Sequence, residues 1–223
     1  MWIFLLGIIV ELVILGILSN RLTQLSFTVF MRITHSRSVS ITILTIILFP
    51  GTVIHELSHL FTAEILGVHT GKLTLSPESI EGQDIQSGSV QVALSDQFRR
   101  TLIGIAPTIT GMITLSLLSW YLSQTQQLII GIALLYLILT ISNTMFTSKE
   151  DLKGVLPVAL TIAIFAITFY ISGIRIILPA HIAQTIAVII QSLAQYLAVA
   201  VAINLIGILA STLFLLLLQK RRS

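Results

Sequence analysis

Residues 39–67 read VSITILTIILFPGTVIHELSHLFTAEILG. The stretch is long and apolar enough to cross a membrane, which takes about 20 residues of α-helix. It nevertheless carries two histidines and a glutamate, His55, Glu56 and His59, within its apolar run. Ionisable side chains are costly inside a bilayer, so three of them close together indicate a functional site.

The composition of the whole chain is that of a membrane protein. Of its 223 residues, 55% are hydrophobic and 9% are charged, which argues against a water-soluble globular domain. Cysteine is absent, so His and carboxylate side chains are the strong metal ligands that the chain can offer. The net charge of +3 is small and its basic residues stand at segment ends, which argues against nucleic acid as a partner.

Apolar stretches of span length predict an all-α polytopic fold with about six transmembrane helices in the lipid bilayer. The stretches are residues 2–19, 39–67, 99–122, 127–145, 154–174 and 196–218. Alternation of apolar and polar residues between the second and third spans predicts a small β-hairpin at about residues 70–95. An interfacial helix is expected at about residues 178–194, where polar side chains share one helical face. Residues 1–223 are predicted to form a single membrane-embedded domain.

Six spans would place both termini and the loop after the second span on one side of the membrane. That side carries more Lys and Arg than the other, including Lys72, Lys149 and Lys153. The positive-inside rule therefore favours a multi-pass protein of the cell membrane with cytoplasmic termini.

The spacing of His55 and His59 puts both imidazoles on one face of a helix, where they can bind a single Zn²⁺ ion. Two imidazoles leave the metal in need of a third protein ligand and an open position for water, from which Glu56 can take a proton. The acid best placed to be the third ligand is Asp151, with Glu150 as its neighbour and rival. Asp151 could instead cap the N-terminus of the fifth span.

Zinc-dependent peptide hydrolysis is the function that this pattern favours. One alternative is a zinc-binding membrane regulator that does not cleave, and the presence of Glu56 argues against it because such a protein needs no catalytic base. Another is an ion or proton transporter in which the His and Glu residues form the path. The transporter hypothesis predicts that Asp151 is dispensable for metal binding.

Two motifs resemble the site-2 protease family of intramembrane zinc metalloproteases, and the resemblance covers mainly residues 50–154. The first motif, HELSH at residues 55–59 continuing to Gly67, resembles the zinc-binding helix of the family. The second is Asn143, eight residues before Asp151, which is similar to the family's Asn-led motif ending in an aspartate ligand. The pattern departs at Phe146, where proline is common.

The resemblance implies an endopeptidase that binds one zinc ion through His55, His59 and Asp151, with Glu56 as the catalytic base. It also implies a substrate that is a membrane-anchored protein, cut within or near its transmembrane segment. Asn143 would by the same resemblance bind the substrate backbone or the developing oxyanion, the alternative being a hydrogen bond between helices.

Two further segments bear on the same resemblance, and a third bears on the shape of the helix that carries the histidines. Residues 71–94 are similar to an edge-strand hairpin beside which an unwound substrate can pair by β-augmentation. Residues 104–107, GIAP, are similar to a Gly/Pro segment near the family's site, although packing or a kink is the simpler explanation. Pro50 and Gly51 could bend the zinc-binding helix and open it to water, or only kink it.

Overall fold

The described part of the chain in the computed structural model contains five continuous helices and two short strands, with further helical residues at 160–161, 164–165, 167–169 and 171. The structure describes residues 2–74, 89–92, 96–146, 160–161, 164–165, 167–169, 171–173 and 179–220. The helices are α1 (Trp2–Thr34), α2 (Arg37–Ile65), α3 (Gln97–Gln124), α4 (Leu128–Thr144) and α5 (Ala180–Lys220), and the strands are β1 (Thr70–Thr74) and β2 (Ser89–Val92).

Four of the described helices are long and apolar enough to cross a membrane, and they contain Gly7–Thr34, Arg37–Ile65, Gln97–Gln124 and Gln184–Leu218. The fifth, α4, is apolar but has only 17 residues, or about 25 Å of helix. This agrees with the predicted all-α membrane class and with an integral membrane protein. Most of the predicted span 154–174 lies outside the described residues, so the count of six spans stays a prediction.

The first and last helices are longer than the sequence pattern predicts. The predicted span 2–19 continues as helix to Thr34, because the polar residues that follow include good helix formers and no Gly or Pro interrupts them. At the other end, the predicted interfacial segment and the last span form one continuous helix, α5, of 41 residues. Without an internal proline, α5 has no residue that forces a break between its amphipathic and apolar parts.

The helix connections fix the direction of the first four helices. Two residues join α1 to α2 and three join α3 to α4, so each pair runs antiparallel. The end of α2 meets the start of α3 in a small cluster of Ala63, Val68 and Ile103. It follows that α2 and α4 run in the same direction, with the α1–α2 and α3–α4 connections at one end of the bundle and the strands at the other.

Helix α4 contacts each of the other four helices named above, and its burial is concentrated in its C-terminal half. Its C-terminal residues 140–144 are all buried, although they include polar side chains. The main apolar core forms around this helix, where Ile138 and Met145 pack with Leu15 of α1, Leu115 of α3 and Leu197 of α5. The outward faces of α1, α2 and α5 are apolar and exposed, which is the surface that lipid requires.

The chain leaves α2 through a glycine cap that leads into the strands. Gly67 adopts φ +67°, a left-handed conformation that glycine adopts at little cost. Its N–H donates to Glu64 O and the N–H of Val68 donates to Ala63 O, which is a Schellman motif. β1 then pairs antiparallel with β2, Thr70 lying opposite Val92, with a register irregularity before Leu73. Both strands contact α2, and residues 75–88 lie outside the described residues.

Candidate functional site

The two histidines predicted to bind metal lie side by side on α2. His55 is 5% exposed and His59 is half-buried. Their ring centroids are 4.9 Å apart and the rings are nearly perpendicular, at 83°. Two imidazoles that bind one tetrahedral zinc ion through nitrogen at about 2.0–2.1 Å have centroids about 5 Å apart. The pair therefore fits the spacing that a shared zinc ion requires.

A backbone carbonyl of α3 orients the second histidine. His59 Nδ1 lies 2.8 Å from Ile103 O. Because a carbonyl oxygen only accepts, Nδ1 carries the proton and the lone pair of the neutral ring is on Nε2. Histidines that bind metals commonly donate their other ring N–H to a backbone carbonyl or carboxylate. The tautomer of His59 thus suits Nε2 as a metal ligand.

Glu56, the predicted catalytic base, is buried to the same extent as its neighbour. It is 5% exposed and follows His55 directly on α2, which rotates its side chain by about 100° from the histidine. The hydroxyl of Ser58 bonds the helix backbone, donating to His55 O at 2.6 Å. A carboxyl group beside two histidines in a buried helix segment is what proton transfer next to a metal requires.

Helix α4 packs against the face of α2 that carries His55. A Cβ atom built on Gly51 would overlap Thr140 O and Thr144 Oγ1, so only glycine permits this approach of the two helices. Gly51 lies one turn before His55 on the same face. The glycine that the sequence associates with a bend is therefore a packing position for α4.

The predicted third ligand, Asp151, and its rival, Glu150, lie outside the described residues. α4 runs in the same direction as α2, and its Thr144 lies beside Gly51, one turn before His55. Asp151 is seven residues further along the chain. Seven residues span at most about 25 Å, which keeps a ligand from this segment within reach of the histidines. Within the described residues, no group of three or more His, Cys, Asp or Glu side chains is arranged to hold a metal ion.

Asn143, the predicted substrate-binding residue, belongs to a buried polar network between helices. Its Nδ2 donates to Asn204 Oδ1 of α5 at 2.9 Å and to Leu139 O at 2.7 Å. Asn204 Nδ2 donates in turn to Ser142 Oγ at 2.8 Å and to Ala200 O at 2.9 Å. The hydrogen bond between helices that the sequence leaves as an alternative is present.

The network also fixes which way each amide points. Leu139 O and Ala200 O can only accept, so the group facing each of them is an NH₂. Both hydrogens of Asn143 Nδ2 are then used within the bundle. Asn143 Oδ1 is buried and has no hydrogen-bond partner among the described residues. If Asn143 meets a substrate with the amide in this orientation, it accepts a hydrogen bond through Oδ1.

The sequence pattern does not identify two members of this hydrogen-bond network. Asn204 and Ser19 are both buried, at 0% and 3% exposure, and Ser19 Oγ donates to Asn143 O at 3.1 Å. An amide in the apolar span 196–218 is itself a signal, because polar side chains at membrane depth usually face other helices. The sequence does not say which helix they face.

Comparison with known proteins adds no family to these observations: no family model, no curated protein and no solved structure matches the chain significantly.

Proposed function

We propose that this protein is an intramembrane zinc metalloprotease that hydrolyses peptide bonds of membrane-anchored proteins within or near their transmembrane segment. The observation that carries the proposal is the pair of adjacent imidazoles on a helix of span length, one of them held in the tautomer that leaves Nε2 to bind a metal. The resemblance to the site-2 protease family points the same way. His55, His59 and Asp151 would hold one zinc ion.

The proposed peptide hydrolysis would use both the zinc ion and side chains of the protein. When bound, zinc would supply Lewis-acid activation of water and of the peptide carbonyl. Glu56 takes a proton from the attacking water and delivers it to the leaving amine, the two tasks of a general base and a general acid. Burial of Glu56 and His55 keeps competing water away from these proton transfers.

Asn143 would bind the substrate backbone. Its amide hydrogens are bonded to Leu139 and Asn204, so stabilisation of an oxyanion by Nδ2 would first require one of these bonds to break. The buried Oδ1 can instead accept a substrate N–H. An N–H becomes available when the substrate helix unwinds, and the strands β1 and β2 beside α2 would pair with the extended segment as a β-hairpin.

The membrane arrangement belongs to the same proposal. Six spans, with the fifth at about residues 154–174, would return both termini to the cytoplasmic side of the cell membrane. The chemistry would then face the end of the bundle at which β1 and β2 lie. A membrane-anchored substrate would enter between helices from the lipid.

The test is the zinc content of the detergent-purified, full-length protein and its variants, measured together with cleavage of a single-span test substrate. Wild type and Glu56→Gln are expected to hold one zinc per chain, and Asp151→Ala is expected to lose it because a ligand is gone. Glu56→Gln is expected to lower the cleavage rate by a factor of about 10² or more. Glu150→Ala is the matched control and is expected to keep both zinc and activity.

Each result has a distinct meaning. Retention of zinc by Asp151→Ala with loss by Glu150→Ala would move the third ligand to Glu150. A wild type that binds no zinc after zinc is supplied would refute the protease hypothesis and favour the transporter. Zinc binding without cleavage by wild type, across several single-span substrates, would favour the regulator that does not cleave.

A further inference from the structure

We infer that Pro107 is a positioning residue for His59: by removing the helical donor of the Ile103 carbonyl, it supplies the acceptor that fixes the imidazole. The inference deepens the proposed function, on which its consequence for zinc binding rests. Its structural part, the tautomer of His59, is independent of zinc.

Pro107 leaves the carbonyl of Ile103 without its donor within α3. In an α-helix the carbonyl of residue 103 accepts the N–H of residue 107. Residue 107 is a proline inside α3, which has no N–H and whose ring pushes that carbonyl away from the helix axis. Ile103 and Pro107 are both buried. A buried carbonyl without a donor is costly, so it needs a partner from elsewhere.

The fold provides that partner from α2. His59 Nδ1 lies 2.8 Å from Ile103 O, and 44 positions separate the two residues in the chain. One hydrogen bond thus satisfies the carbonyl released by Pro107 and sets both the rotation and the tautomer of His59. The release of this carbonyl matters because a carbonyl already bonded within its helix would be a weaker acceptor for the N–H of the imidazole.

The hydrogen bond between His59 and Ile103 prepares His59 to bind a metal ion. With Nδ1 protonated, the imidazole presents the Nε2 lone pair without a change of tautomer. Removing such a supporting interaction usually weakens metal binding by about 10- to 100-fold. The Gly/Pro segment at residues 104–107, which the sequence explains as packing or a kink, therefore has a chemical role through the carbonyl that precedes it.

The experiment compares three forms of the full-length protein in detergent. They are the wild type, Pro107→Ala, and an analogue of Pro107→Ala in which the amide nitrogen of residue 107 is replaced by an ester oxygen. Alanine restores an N–H that competes for Ile103 O, whereas the ester lacks both the proline ring and the N–H. The readouts are the ¹⁵N chemical shifts of His59 in the zinc-free protein, assigned with His59→Gln, and the zinc dissociation constant from chelator competition.

In the zinc-free wild type, His59 is expected to be protonated at Nδ1 when the imidazole is neutral. Pro107→Ala is expected to shift His59 toward the Nε2-protonated tautomer and to weaken zinc binding by about 10- to 100-fold. The ester analogue is expected to return both readouts close to wild type. Equal losses in the alanine and ester forms would overturn the inference, since the proline ring would then matter and not the missing donor.

If Pro107→Ala fails to fold, the wild-type tautomer and the ester analogue still test the inference, because the ester lacks the proline ring and should keep the wild-type tautomer. A wild-type His59 protonated at Nε2 overturns the inference. The failure of the proposed function gives a different result: a wild type that binds no zinc refutes the protease, while His59 protonated at Nδ1 with the expected alanine and ester tautomers would still support the role of Pro107.

Discussion

Asn204 shows how one buried amide can orient another across a helix interface. Its NH₂ group is directed to the backbone of its own helix and to Ser142, which leaves its carbonyl oxygen to face the NH₂ of Asn143. The orientation of Asn143 is therefore supported both by Leu139 O of its own helix and by a residue of α5. Buried polar networks of this kind are costly when one member is removed, because the partners lose their hydrogen bonds.

We expect Asn143 and Asn204 to be energetically coupled. Asn204→Ala removes one of the two acceptors of Asn143 Nδ2 and the donor to Ser142 Oγ, and should lower the free energy of unfolding by about 1–3 kcal/mol. In a double-mutant cycle with Asn143→Ala, the coupling should be about 0.5–1.7 kcal/mol, the range of hydrogen bonds between membrane helices. Reversible unfolding in mixed micelles measures both.

Asn20 provides the control for this cycle. It is an exposed asparagine of α1 whose amide oxygen accepts one hydrogen bond from Gln24, and Asn20→Ala should change stability by less than about 0.5 kcal/mol. Strictly additive effects of Asn143→Ala and Asn204→Ala would mean that the two amides do not interact.

At the scale of residues, the sequence could predict the part of the site that is local. His55, Glu56 and His59 are found because their spacing on one helix is visible in the chain. The partners of the site could not be predicted in the same way. Asn204 is 61 positions from Asn143. The acceptor of His59 is a backbone carbonyl 44 positions away, and Pro107 marks that carbonyl as lacking its helical donor without indicating which side chain meets it.

At the scale of elements, the approach of α4 to α2 holds the candidate site together. We expect Gly51→Ala to force the helices apart, because its Cβ would overlap Thr140 and Thr144. Overpacking of this kind typically costs about 1–3 kcal/mol. The zinc content should fall as well, since His55 is one turn away. Unfolding in mixed micelles and metal analysis measure the two effects.

Gly131 is the matched control in the partner helix. A Cβ on Gly131 would meet nothing within 4 Å, so Gly131→Ala should be neutral or stabilise α4 by up to about 1 kcal/mol. Similar losses for both substitutions would show that glycine matters here for helix flexibility and not for the close contact.

The sequence predicts helices better than it predicts where they end. The apolar run at 39–67 corresponds closely to α2, which is Arg37–Ile65, because a cap, a glycine and the apolar periodicity agree there. α1 extends past its apolar part since hydropathy measures lipid compatibility and not helix propensity. For the same reason α5 has no boundary where its polar face ends.

At the scale of the whole molecule, the direction of α1–α4 gives the bundle two distinct ends. Ser38 and Gln126 are exposed at the end that carries the α1–α2 and α3–α4 connections. His69 and Gln97 are exposed at the end with the strands. The chain contains no cysteine, so single cysteines at these four positions can be labelled without background.

We expect a membrane-impermeant thiol reagent to label Ser38→Cys and Gln126→Cys from outside intact cells. His69→Cys and Gln97→Cys should react only after lysis, because the proposed cytoplasmic termini place the strands inside. The cysteine-free wild type is the control and should give no signal. The inverse pattern would reverse the orientation and place the candidate site toward the outside. Labelling of all four positions from one side would contradict the direction of the helices, because α2 and α3 would then not cross the membrane.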